Sequence, residues 1–469
     1  MKMAKTKSII ELQEYSESKM LFRLAWPVIL SLLVQGFYSL VDSFYLSRLG
    51  EEVLSAVSIS FVIQNLATGF FAGIATGMNV LISKAIGAGD YEKAKSAVMN
   101  GIVVQSVLVL LFMVFGIWGV PLYFRGTTDI ENVITLGIQY LTPCMLLVFA
   151  SAGQVTFERF LQSTGITKYM LVAQGTGSIV NIVLDPIMIF GWMGFPAMGI
   201  RGAAYATIIG QIVAFAIAVF FNFKRNSMIF SGLGKRHLDW ETSKTVCKIG
   251  IPLAATSIAS NFGNYFINRI LIGFSAAANA AFGVYAKLQS VALMPTQGFS
   301  AGLVTMYAFF YGKKDLGRIK KSLITGEIIV GIWNFLCFLF FFLFPVPVLK
   351  VFNASDEMLQ VGIYCFRIVG LTYLTSGLMT GLAAFFQSIG KSIYSLVVSL
   401  SRQVFVRVPV AYLLASWKNV NIIWWCWPVS EVTSDIVIVI IFIRVYRRFK
   451  MELLKSTGGI AYGQLQKRT

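Results

Sequence analysis

Two acids, Asp42 and Asp185, lie inside long apolar stretches of this sequence, and they are the residues best placed to do chemistry. An acid at membrane depth is costly and normally persists to bind an ion, a proton or a counter-charge. Two carboxylates that share a pocket suit proton uptake and release. With added carbonyl and hydroxyl oxygens, the same pocket suits sodium. The sequence therefore predicts a cation site and leaves H+ and Na+ as alternatives.

A polar stripe ends at Asp185. Its members follow one another at intervals of four, three and four residues, which keeps their side chains on one face of a helix: Gln174, Ser178, Asn181 and Asp185. Pro186 has no N–H to donate to the carbonyl of Ile182, which leaves one more oxygen close to Asp185. We interpret the stripe as a face that lines protein or water, with Pro186 as a conformational element.

A second stripe, Gln35, Tyr38 and Asp42, lies on the first predicted helix, where Pro27 predicts a kink. Both acids fall in the outer half of helices that run in the same direction. Tyr140 and Thr207 come early in helices that run the opposite way, so they lie at a similar depth. We predict that cation coupling depends on five residues, Asp42, Tyr140, Asn181, Asp185 and Thr207, and that Na+, if bound, contacts all of these except Tyr140. Predicted substrate-cavity residues are Gln35, Tyr38, Gln174, Ser178 and Arg407.

The composition indicates how these residues are held. The chain has 469 residues, of which 57% are hydrophobic and only 13% charged, so it has too little polar surface for a soluble protein. Apolar stretches long enough to cross a bilayer, at roughly 20 residues each, occur twelve times. The sequence predicts an all-α polytopic membrane protein with twelve transmembrane helices.

The positive charge follows the topology. The formal net charge is +18, and most Lys and Arg residues fall in the tails and in alternate loops. The positive-inside rule then places both termini in the cytoplasm of a multi-pass protein of the cell membrane. This distribution explains the net positive charge without a role in nucleic-acid binding. We expect no nucleic acid as a partner.

The sequence repeats itself with an offset of 225 residues. Pro27 corresponds to Pro252, Gly73 to Gly298, and Gln162 to Gln387. We therefore predict two six-helix lobes related by a pseudo-two-fold axis along the membrane normal. The predicted segments are a cytoplasmic N-terminal segment (1–19), an N-lobe (20–224), a cytoplasmic linker (225–242), a C-lobe (243–450) and a cytoplasmic tail (451–469). The repeat is broken at the acids, since Ile267 and Val410 replace Asp42 and Asp185.

Other residues receive structural interpretations. Asp90 and Asp315, at corresponding turns, are predicted helix N-caps, and Gly73 and Gly77 are predicted to allow close helix contact. In the C-lobe, Arg407 is predicted to pair with Glu431 or Asp435, which share a helix face, while a substrate contact is the alternative.

The sequence lacks the residues that several kinds of site require. The five cysteines show no paired spacing, which predicts neither disulfides nor a structural metal, and the single histidine, His237, lies in a polar linker. Gly390-Lys391-Ser392 resembles the end of a phosphate loop, but Phe385 stands where that motif requires glycine. We expect a protein that is not an enzyme and has no cofactor beyond its coupling ion.

The residues resemble the multidrug and toxic compound extrusion (MATE) transporters. The likeness is strongest in Trp26-Pro27 through Asp42-Ser43, in the glycine-rich second helix through Gly87-Ala88-Gly89, and in Asn181 through Pro186. The resemblance implies alternating access, efflux driven by entry of H+ or Na+, and a cation site at Asp42, Asn181 and Asp185, with Tyr140 nearby and Thr207 matched. One branch of the family carries an acid midway along helix seven, and Ile251–Ile272 has none, so this chain looks closer to the branch that couples through the N-lobe.

These observations predict a monomeric antiporter that resides in the lipid bilayer and exports small amphipathic, cationic organic compounds in exchange for H+ or Na+. The alternative is a lipid-linked precursor flippase of related twelve-helix architecture, in which the basic C-lobe would bind phosphate groups. A membrane enzyme is a third class that no motif in the sequence favours.

Overall fold

A computed structural model describes residues 8–232 and 238–456, with side chains up to residue 451, and the described residues form helices and no strand. The helices before the linker are α1 (Ile9–Leu12), α2 (Glu17–Ser47), α3 (Glu51–Gly87), α4 (Tyr91–Val114), α5 (Val120–Thr127), α6 (Glu131–Leu146), α7 (Phe149–Ser163), α8 (Lys168–Phe190), α9 (Ile200–Arg225) and α10 (Ser227–Phe230). A π-helical segment, Phe115–Gly119, joins α4 to α5, and a 3₁₀ turn, Trp192–Gly194, follows α8. His237 lies outside the described residues.

The helices after the linker are α11 (Trp240–Ile272), α12 (Ala276–Gly312), α13 (Leu316–Leu343), α14 (Pro345–Val351), α15 (Asp356–Gly370), α16 (Tyr373–Ser388), α17 (Ser392–Leu400), α18 (Arg407–Ala415), α19 (Val420–Ile423) and α20 (Cys426–Ser456). A second π-helical segment, Ser401–Val406, joins α17 to α18.

The membrane-crossing elements match the predicted number. Eight helical segments are long and apolar enough to span a bilayer, and two bent pairs, α6 with α7 (46°) and α15 with α16 (41°), raise the number to ten. The more polar α11 and α12 have 33 and 37 residues. At 1.5 Å per residue each is longer than the roughly 30 Å hydrocarbon core. The prediction of an all-α fold with twelve membrane helices is confirmed.

The chain divides into two compact units. The first comprises described residues 8–14, 23–86 and 90–254, and the second comprises residues 15–22, 87–89 and 255–456. In the first unit, apolar side chains such as Phe71, Phe124 and Leu141 form the core, and in the second Tyr285, Phe341 and Trp424 do so. The boundary follows Ala254, so the beginning of α11 belongs to the first unit.

Glycines bring α3 into backbone contact with the beginning of α11. A Cβ at Gly73 would lie 2.6 Å from the carbonyl oxygen of Gly250, and one at Gly77 would lie 2.7 Å from that of Val246. No real side chain tolerates such distances, so only glycine permits this packing. The predicted close contact at Gly73 and Gly77 is confirmed.

The two predicted N-caps are also confirmed. Asp90 Oδ1 accepts a hydrogen bond from the Lys93 N–H at 2.9 Å, and Asp315 Oδ1 accepts one from the Arg318 N–H at 2.9 Å. Each carboxylate satisfies one of the free N–H groups at the start of a membrane helix.

Loss of the Asp90 cap is expected to destabilise the protein. Asp90→Ala leaves the Lys93 N–H without its acceptor and should cost about 0.5–2 kcal/mol. Thermal unfolding of the purified protein measures the effect, and Asp90→Asn, which keeps a capping oxygen, should unfold near the wild-type temperature. Equal unfolding temperatures for Asp90→Ala and the wild type would contradict the capping role.

The predicted partner of Arg407 is wrong. Glu431 pairs with Arg402, whose Nη1 lies 3.1 Å from Glu431 Oε1. Arg407 instead donates from Nε to Ser430 Oγ at 3.3 Å and lies over the Trp427 ring at 5.7 Å. The cause is the π-helical segment Ser401–Val406. Its i→i+5 hydrogen bonding brings Arg402 near the face of Arg407, five residues later, which regular α-helical spacing does not predict.

Candidate functional site

Four helices of the first unit bring the predicted cation residues together. Asp42 on α2, Tyr140 on α6, and Asn181 and Asp185 on α8 are buried, with exposed fractions of 5%, 1%, 2% and 0%. Thr207 on α9 is half-buried. Asp42 acts electrostatically on both Asp185 and Tyr140. The structure thus places two carboxylates in one buried neighbourhood.

Asn181 links the acid on α8 to the hydroxyl on α9. Its Nδ2 lies 3.3 Å from Asp185 Oδ1 and 3.4 Å from Thr207 Oγ1. These contacts require the two helices to approach closely, and glycines allow it. A Cβ at Gly177 would lie 2.6 Å from the Gly210 carbonyl oxygen, and one at Gly210 would lie 2.7 Å from the Gly177 carbonyl oxygen.

Three oxygens of this cluster have unused acceptor capacity. Asp42 Oδ1, Asn181 Oδ1 and Asp185 Oδ2 are buried, and none has a hydrogen-bond partner among the described residues. A buried polar atom without a partner costs free energy, so each such atom needs an explanation. Carboxylate, amide and hydroxyl oxygens are the ligands of hard cations, and a carboxylate also accepts a proton. The donor set therefore fits the predicted H+ or Na+.

A small polar pocket, with a cavity volume of about 20 Å³, adjoins the cluster. The lining residues come from α2, α7, α8 and α9: Tyr38, Gln154, Gln174, Gly177, Ser178, Asn181, Thr207, Gly210, Gln211 and Ala214. Tyr38, Gln174 and Ser178 lie where the helical spacing placed them. Gln35, one turn before Tyr38 on the same face of α2, is exposed and is not among these lining residues. Arg407, the other predicted cavity residue, belongs to the second unit.

The prediction missed a chain of hydrogen bonds that leads away from the cavity. Gln154 Nε2 donates to Gln174 Oε1 at 2.5 Å and to Glu158 Oε1 at 3.1 Å, and Gln174 Nε2 lies 3.4 Å from Ser178 Oγ. Glu158 is buried on α7. The same argument that singled out Asp42 applies to Glu158, and the i, i+4 spacing of Gln154 and Glu158 was a usable signal.

Gln64 was also missed. It lies on α3 close to the Tyr140 hydroxyl and the Cys144 thiol. Tyr140 and Cys144 are one turn apart on α6, so Gln64 lies against the face of α6 that carries both. A lone glutamine in an apolar helix gives no spacing pattern, and no sequence signal identifies it.

Comparisons with known proteins agree with this architecture. The MatE family model matches residues 27–187 and 252–413, two segments that begin 225 residues apart. The "Probable multidrug resistance protein YoeA" of Bacillus subtilis is 26% identical over 88% of this chain and 90% of its own length. The "FAD transporter" of Shewanella oneidensis is 24% identical over 84% of this chain and 87% of its own length.

The fold is shared with solved structures. A MOP superfamily transporter from Pyrococcus furiosus, reported for the reverse polarity of its binding pocket, superposes with a TM-score of 0.87 at 22% identity and covers 96% of this chain and 99% of its own. The relatives are membrane transporters and do not favour the flippase alternative. Since the family model matches both halves of the chain and more than half of its residues, this multi-pass membrane protein belongs to the MatE family, the multidrug and toxic compound extrusion transporters.

Proposed function

We propose that this protein is a secondary active antiporter that exports small amphipathic organic cations in exchange for H+ or Na+. The observation that carries the proposal is the cluster of Asp42 and Asp185, two buried carboxylates with free oxygens beside a polar cavity. Relatives named as multidrug resistance proteins support efflux as the direction of transport.

The coupling mechanism follows from charge. A cation that enters from outside neutralises the acidic cluster and favours the state that releases substrate. When the site opens to the cytoplasm, the cation leaves and the restored negative charge favours binding of a cationic substrate. Each ligand shifts the equilibrium only by its differential affinity for the two states. In this proposal both affinities depend on the same two acids. The aromatic face of Tyr38 and the cavity amides suit an amphipathic cation.

The orientation and assembly of the antiporter complete the proposal. The positive-inside distribution of Lys and Arg supports cytoplasmic termini in the cell membrane. A single chain carries both units and the acidic cluster lies within one of them, which supports action as a monomer.

Efflux from reconstituted vesicles tests the proposal. A fluorescent organic cation is loaded, and a pH gradient or a sodium gradient is imposed separately. We expect one gradient to accelerate export and the other to have no effect, which identifies the coupling ion. Export at the same rate with and without each gradient would overturn the proposal of antiport. Transport of anionic compounds alone would overturn the proposed substrate class.

We infer that the cation leaves toward the cytoplasm past the polar side chains that run from Ser178 to Glu158. Glu158 lies near the end of α7 predicted to face the cytoplasm, and its carboxylate is the terminal acceptor of the chain. Glu158→Gln keeps the shape but removes the charge. We expect turnover to fall about tenfold, a barrier higher by about 1.4 kcal/mol, with the KM for substrate unchanged.

The control for this prediction is Glu92→Gln, an exposed acid at the start of α4. Gradient-driven efflux and its dependence on internal pH are measured for both variants. An unchanged turnover and an unchanged pH profile for Glu158→Gln would show that Glu158 has no part in cation release.

A further inference from the structure

The second unit contains its own cluster of ionisable side chains. Glu431 pairs with Arg402, and Arg407 interacts electrostatically with both. Asp435 interacts with Glu431 and Arg402, and Glu327 interacts with Asp435. These five groups come from α13, α20, the π-helical segment Ser401–Val406 and the first residue of α18.

Asp435 is the least satisfied member of the cluster. Its exposed fraction is 8%, and neither of its carboxylate oxygens has a hydrogen-bond partner among the described residues. The Thr375 hydroxyl on α16 faces Asp435 without the geometry of a hydrogen bond. Arg402, the cation that acts electrostatically on Asp435, is already engaged with Glu431.

Glu327 reaches the same region from α13. Its Oε1 is buried without a hydrogen-bond partner among the described residues. The carboxyl group packs directly against α16, because a Cβ at Gly381 would lie 2.1 Å from Glu327 Oε1. Tyr307 and Asp435 are the titratable groups that act on Glu327. A glycine at 381 is therefore what gives this carboxyl its space.

The charges of the cluster do not cancel. Three carboxylates, Glu327, Glu431 and Asp435, are opposed by two guanidinium groups. Arginine stays protonated in proteins, so one negative charge is left over if all three acids are ionised. In a medium of low dielectric an uncompensated charge is too costly to persist. The excess falls on Glu327 and Asp435, since Glu431 is already paired.

We propose that Glu327 and Asp435 form a second cation site, in the second unit, which binds one exchangeable proton. A proton needs only one carboxylate oxygen. Calcium or magnesium requires six or more oxygen ligands, whereas this region offers the two carboxylates and the Thr375 hydroxyl. The site is distinct from Asp42 and Asp185, and its failure would leave the proposed antiport at those residues intact.

Infrared difference spectroscopy of the purified protein tests the proposal. The background is the Asp42→Asn/Asp185→Asn/Glu158→Gln triple variant, so that the buried acids of the first unit cannot contribute. Between alkaline and acidic buffer we expect a carbonyl stretch of a protonated carboxyl that shifts in D2O. Adding Glu327→Gln or Asp435→Asn should remove or shift this band. A band that neither substitution affects would overturn the proposal, as would its loss on addition of Na+ at constant pH.

A substitution at Gly381 tests whether Glu327 carries the proton, and it leaves both acids in place. In the same background, Gly381→Ala places a methyl group 2.1 Å from Glu327 Oε1, which must then move, and we expect the band to shift or weaken. The matched control is Gly331→Ala on α13, where an added Cβ meets nothing within 4 Å. A band that responds equally to both alanines, or to neither, would contradict the assignment to Glu327.

Discussion

Asp185→Asn should abolish gradient-driven efflux, and Asp42→Asn should do the same. Asparagine matches the shape of each acid and keeps a carbonyl oxygen, so the helices should pack as before. What disappears is the negative charge that a cation neutralises. We expect the gradient-dependent rate to fall at least about 100-fold, equivalent to about 2.7 kcal/mol or more, while downhill leakage is unaffected.

The measurement is export of a fluorescent organic cation from vesicles under the effective gradient. Asp129→Asn, an exposed acid in the loop after α5, serves as the control and should transport at the wild-type rate. The variants should also unfold at or above the wild-type temperature, because an uncompensated buried charge is removed. If Asp42→Asn or Asp185→Asn shows normal coupled export, the carboxylate that it replaces has a structural role and no role in coupling.

Gly210→Ala should damage both folding and transport. An added methyl group at Gly210 would lie 2.7 Å from the Gly177 carbonyl oxygen and 3.0 Å from the Asn181 Cβ. The first of these is backbone, so α8 and α9 must separate. Overpacking of this kind typically costs about 1–3 kcal/mol. The same separation stretches the contact of 3.4 Å between Asn181 and Thr207, so we expect cation affinity to fall.

Gly175→Ala is the matched control, since a Cβ at that position of α8 meets nothing within 4 Å. Thermal unfolding and the ion concentration for half-maximal efflux are measured for both variants. Gly175→Ala should equal or exceed the wild type in stability, because alanine favours helix over glycine. If Gly210→Ala has the same stability and the same ion dependence as the wild type, then α8 and α9 can accommodate a methyl group between them, and the prediction is wrong.

Most of the fold was predictable because its signals are local and repeated. The length of an apolar stretch identifies a membrane helix. A short polar side chain at a turn identifies a helix cap, and Asp90 is an example. The cluster of Asp42, Asn181 and Asp185 was predictable for a related reason. Polar atoms inside apolar helices are rare, and helical spacing shows which of them share a face.

The missed features depend on contacts between helices or on departures from α-helical geometry. Arg402 reaches Glu431 only because a π-helical turn changes the spacing. Glu327 becomes a candidate only when Gly381 and Asp435 are seen around it. Glu158 was a different kind of omission, since its burial on α7 and the helical spacing from Gln154 were readable from the sequence.

The close glycine contact between α8 and α9 has a consequence for ion selectivity by size. Asn181 is tied to Asp185 on its own helix and to Thr207 on the other, and the two backbones cannot approach further. The contact sets a lower limit on the distance between the oxygens of α8 and those of α9. A flexible site adjusts to ions of several radii, but a site that cannot narrow penalises a cation smaller than its opening. Lithium should therefore compete poorly with sodium at this site if sodium is the ion that it binds.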